Sequence, residues 1–87
     1  MTISFLLDSS ARCCLTITWQ SLYQYQAVLV FENGEVMEFI ASSPVRCILE
    51  VKRRMEFRNH KIRKVQSVVE YLSPVNEIID AVYQLTA

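Results

Sequence analysis

The chain's only glycine, Gly34, follows Asn33 between two β-rich runs, and nothing else in the sequence constrains the fold as tightly. The first run is Gln26-Ala27-Val28-Leu29-Val30-Phe31-Glu32, and the second is Glu35-Val36-Met37-Glu38-Phe39-Ile40-Ala41. Asn and Gly both tolerate positive φ, so the dipeptide predicts a two-residue type I′ hairpin turn whose twist matches the strands it joins. The first arm is apolar on both faces, which suits an interior strand. Glu38 interrupts one face of the second arm and leaves that side partly wet.

A helix is expected next. Ser43 is a good N-cap, and Pro44 fits the first helical position, where its missing N–H removes no hydrogen bond. Val45, Ile48, Leu49, Val51 and Met55 make one apolar face, opposite Arg46, Glu50, Arg53 and Arg54. Arg46–Glu50, Glu50–Arg54 and Lys52–Glu56 stand at ion-pair spacing, and the helix should end near Phe57. The β pattern then returns from Ile62 to Tyr71, with Val65, Ser67, Val69 and Tyr71 on one face. A second helix opens like the first, with Ser73 as cap and Pro74 in its first turn. Val75, Ile78, Ile79, Val82 and Leu85 give it an amphipathic stripe.

At the N-terminus, Ile3–Leu7 and Cys13–Trp19 read as strands joined through Asp8-Ser9-Ser10. The segment from Gln20 to Tyr25 alternates glutamine with aromatics and reads as a loop or as part of the next strand. The order is therefore β-β-β-β-α-β-α. This predicts an α+β fold in two layers: a largely antiparallel sheet of four to five strands with two helices on one face. With 52% apolar residues and two prolines in 87 residues, the chain reads as one compact domain, 1–87, with a dense core.

Charge is unevenly distributed. Eight of the nine basic residues lie between Arg46 and Lys64, where only Glu50 and Glu56 oppose them. That window carries +6 and the remainder −6, so a net charge of zero conceals a polarised molecule. Lys52, Arg53, Arg54, Arg58, Lys61, Arg63 and Lys64 form a candidate ridge for phosphates or for an acidic partner. Aromatic residues for base stacking are scarce beside it, with Phe57 the only one near, and a pI of 6.5 is low for a nucleic-acid binder.

The nineteen residues from Cys13 to Phe31 carry no charge. That is the length of a membrane span, but Thr16, Thr18, Gln20, Ser21, Gln24 and Gln26 are too polar for hydrocarbon. The stretch reads instead as two strands, and no membrane association is expected. Trp19, Tyr23 and Tyr25 lie within it, and such aromatics are typical interface anchors or else close the open end of a sheet.

Catalytic chemistry finds few candidates. His60 is the only histidine, and it sits among Arg58, Asn59 and Lys61 in a loop. Cys47, in a helix's first turn, has the position of an activated thiol but also that of a packing residue. Cys13, Cys14 and Cys47 are odd in number and poorly spaced for disulfides or zinc, so they read as reduced thiols of a cytoplasmic protein. Glu32, Glu35 and Glu38 gather at the hairpin, as solubilising carboxylates do. No phosphate-binding glycine loop, secretory signal, cofactor motif or metal motif is evident.

The sequence thus reads as a small non-catalytic protein-binding module: an adaptor, an accessory subunit or a stoichiometric inhibitor. By fold-level analogy, phage and mobile-element proteins supply examples. The competing reading is a nucleic-acid backbone binder using the ridge from Lys52 to Lys64. A homo-oligomer, such as a homodimer, is a third.

Overall fold

The computed structural model describes residues 1–69 and 76–86, with side chains for all of these except 76 and 77. Among these residues five strands form one sheet: β1 (Thr2–Leu7), β2 (Arg12–Ser21), β3 (Gln24–Phe31), β4 (Val36–Ala41) and β5 (Ile62–Val69). Two helices complete the order, α1 (Pro44–Phe57) between β4 and β5, and α2 (Asn76–Gln84) after β5. All neighbouring strands are antiparallel, in the spatial order β4-β3-β2-β1-β5. The expected α+β architecture and element order are those observed. Tyr71, at the end of the expected last strand, and Ser73, Pro74 and Val75, at the start of the expected second helix, lie outside the described residues.

Strand alternation places the core. Ile3, Phe5 and Leu7 of β1, Cys13, Leu15 and Ile17 of β2, and Ala27, Leu29 and Phe31 of β3 are buried on one face. Cys47, Ile48, Val51 and Met55 of α1 and Ala81, Val82 and Leu85 of α2's end close over them. The opposite face carries no helix among the described residues, and one of its cross-strand rows runs Thr2–Thr16–Val28–Glu38, ending on the carboxylate expected to keep this side wet.

Ser43 caps α1 as expected: it is extended, and its Oγ accepts the Arg46 N–H at 3.1 Å. The buried stripe is shifted from the expected one: Cys47 is fully buried, Val45 only partly, and Leu49 is 41% exposed. The arc that meets the sheet is set by where α1 crosses β3 and β4, which hydropathy alone does not specify.

The Asn33-Gly34 hairpin exists, but its turn is not the two-residue type I′ form. Phe31 N–H donates to Glu35 O and Gly34 N–H to Phe31 O, each at 2.9 Å, enclosing a three-residue loop. Only Gly34 has positive φ, at 89°, the pattern of a type I turn closed by a glycine bulge. Asn33 avoids the left-handed region because its Oδ1 accepts the Glu35 N–H at 2.9 Å, holding the turn from its side chain.

The expected alternation along the last strand also fails. β5 pairs with β1 through two register shifts, between Ser4/Phe5 and Leu6/Leu7 on the β1 side. Each shift adds a residue to β5, so Ile62 and Val65 turn toward the helices while Ser67 lies opposite Ser4 on the other face.

Candidate functional site

The β2–β3 hairpin is longer than its neighbours. β1's pairing with β2 ends at Thr2↔Thr16, and a further backbone bond joins Ile17 N–H to Met1 O at 2.9 Å. Beyond this, Thr18 to Ser21 have no strand partner on the β1 side among the described residues. The hairpin tip therefore stands clear of the sheet, paired through Thr18↔Gln26, Trp19↔Tyr25 and Ser21↔Gln24. Ser21 Oγ donates to Gln24 Oε1 at 2.8 Å and Gln20 Nε2 to Gln26 Oε1 at 3.0 Å, so polar side chains lace the projecting strands together.

The tip presents apolar side chains to solvent. Trp19 is 64% exposed, Leu22 75% and Tyr23 72%, with no charged residue anywhere from Cys13 to Phe31. Tyr23 has φ of 58°, the left-handed region that costs a side-chain-bearing residue about 1–2 kcal/mol. Asn or Gly would relieve that strain, so this turn sequence does not maximise stability. Tyr25 behaves otherwise: it is half-buried against the core, and its carbonyl accepts the Cys47 thiol at 3.8 Å. Of the three aromatics singled out in sequence, two are displayed and one anchors the tip to α1. Leu22 was missed; its position between two aromatics and two glutamines, in the shortest available turn, is the signal that would have found it.

The basic residues are divided between two settings. Arg53 and Arg54 both grip Glu50, through Nε at 3.1 Å and 2.9 Å. Hydrogen bonds from Arg53 and then Arg54 hold the Glu50 carboxyl down to about 2. Arg54 also lies 4.5 Å above the Phe39 ring, and Arg58 meets Glu35 at 2.6 Å. The acidic hairpin and the basic helix thus neutralise each other locally, and the separation of charge along the sequence is partly undone in space. Lys52, Lys61, Arg63 and Lys64 form no ion pair among the described residues. Phe57, 87% exposed, sits beside Arg53, Arg54 and Arg58.

The thiols are poorly placed for chemistry. Burial pushes Cys13 up to about 12 and Cys47 up to about 11, so both are protonated at neutral pH. All three cysteines are free. His60 is exposed, its ring 6.0 Å from that of Phe31. Glu32 accepts the Arg12 N–H at 2.9 Å and Glu35 is held by Arg58, so the hairpin carboxylates diverge. Among the described residues, no three metal-ligating side chains converge. No helix there is long and apolar enough to cross a membrane. Comparison with protein-family models, with curated proteins and with solved structures returned no match.

Proposed function

We propose that this chain is a small non-catalytic protein-binding module that engages its partner through the β2–β3 tip. The observation that carries this reading is the display of Trp19, Leu22 and Tyr23 on a hairpin whose strands are laced by glutamine and serine side chains. Trp and Tyr have two side-chain torsions each, so burying them on a partner costs little conformational freedom for the area gained. The buried, protonated thiols of Cys13 and Cys47 and an exposed lone histidine support a non-enzymatic role.

The test is affinity capture with the intact chain and with Trp19→Ala and Leu22→Ser, each checked for native circular dichroism. Proteins retained by wild type should be lost by both variants, since truncating an interface anchor costs roughly 2 kcal/mol or more. Identical retention by all three would sink the proposal.

One observation favours the second reading. Phe57 projects beside three arginines, which is how a base-stacking side chain accompanies phosphate contacts. Under that reading Arg53→Glu with Arg54→Glu abolishes salt-sensitive binding to single-stranded nucleic acid, and tip variants leave it unchanged.

A further inference from the structure

We propose that the groove between β5 and α2 receives an extended acidic peptide, which adds to the sheet as a sixth strand beside β5. This surface shares no residue with the β2–β3 tip, and the proposal stands or falls separately from it.

β5 is one edge of the sheet, and no strand among the described residues pairs with its outer side. Its backbone there offers the N–H and C=O groups that an incoming strand uses. Alongside runs a groove of about 440 Å³, floored by Val65 and Val68 and walled by Ile79, Val82 and Tyr83 of α2. Its volume falls in the range of ligand-binding clefts and is many times that of one water, so it accommodates several side chains. A strand lying about 4.8 Å from β5 sends alternate side chains to the helix face, into this groove, and the rest to the open face. α2 has apolar surface to spare for them: Ile79 is 39% exposed and Tyr83 72%, although neither is needed by the core.

Arg63 and Lys64 line the same groove, are exposed, and form no ion pair among the described residues. Basic residues on an edge strand discourage indiscriminate strand addition. The same charges select a strand carrying acids at the matching end. An aliphatic floor with a single aromatic wall residue suits peptide side chains rather than stacked bases.

The decisive experiment titrates the intact chain into a short fluorescein-labelled peptide of alternating valine and threonine ending in two glutamates. A twin peptide ending in two lysines is the control. The expected result is preference for the glutamate peptide, with amide shifts concentrated in Ile62–Val69 and α2. Arg63→Glu with Lys64→Glu should weaken the glutamate peptide by about tenfold or more and transfer the preference to the lysine peptide. That reversal separates lost recognition from lost folding. The Leu22→Ser variant should bind as wild type does. Equal binding of the two peptides, unchanged preference in the double variant, or shifts confined to other elements would overturn the proposal. Duplex DNA displacing the peptide at equal concentration would overturn it in favour of phosphate binding. A dimer that dissociates on charge reversal would give the edge to a second copy instead.

Discussion

The two ends of β3 carry hairpins of opposite character. At one end the chain turns through Glu32, Asn33 and Gly34, with glycine in the left-handed position and Arg58 bracing Glu35. At the other end it turns through Leu22 and Tyr23, with an aromatic in the left-handed position and no charge along the chain from Cys13 to Phe31. The first turn is built from residues that suit its backbone. The second holds apolar side chains in solvent against the preference of both backbone and side chain. Where a fold accepts such a conflict at one of two equivalent places, that place is the better candidate for function.

Both hairpins hang on the single strand β3 and should unfold together with it. Leu29, fully buried at the middle of β3, tests this most severely. Leu29→Ala should cost about 2–5 kcal/mol in urea unfolding, with amide protection falling together at both ends. Protection that survives at one hairpin alone would break the premise.

A smaller effect, of opposite sign at the two ends, sharpens the contrast. Gly34→Ala meets no atom within 4 Å, so its cost is backbone strain alone, about 1–2 kcal/mol in the unfolding midpoint. Tyr23→Asn should instead stabilise by some tenths of a kcal/mol while weakening partner capture. If Tyr23→Asn also destabilised, Tyr23 would be serving the fold, and the asymmetry between the turns would vanish.

The least effect concerns the helix beside the charged hairpin. The Glu50 carboxyl is held below its ordinary value, so its contribution to α1 is fully present above pH 4.5 and is lost as pH falls toward about 2. Helicity of wild type should decline across that window more than that of Glu50→Gln, which lacks the titrating group. Parallel acid curves would show that the two arginine bonds add nothing.

Much of this architecture could be read from the residues. Ser43-Pro44 placed the start of α1, Phe57 its end, and the lone glycine located a hairpin, because caps and turns are local devices with local causes. The turn's type escaped because the Asn33 side chain, rather than its φ, does the fixing. The faces of β5 escaped because bulges answer to the register with β1, a strand some sixty residues earlier. Seven basic residues looked like one ridge for a similar reason. Nothing along the chain states that Arg58 will meet Glu35 while Arg63 and Lys64 reach a separate groove.

The position of β1 between β2 and β5 has a consequence for the order of assembly. A chain made from its N-terminus can zip β1 through β4 as a meander of near neighbours and lay α1 upon them. Until β5 is available, however, the outer backbone edge of β1 remains unpaired beside the apolar row of Ile3, Phe5 and Leu7. Its partner is the most distant in sequence of any pair in the sheet, so closing that border incurs the largest loop entropy. The nascent molecule is therefore most exposed to misassociation just before its last strand arrives, at the strand that later becomes its interior.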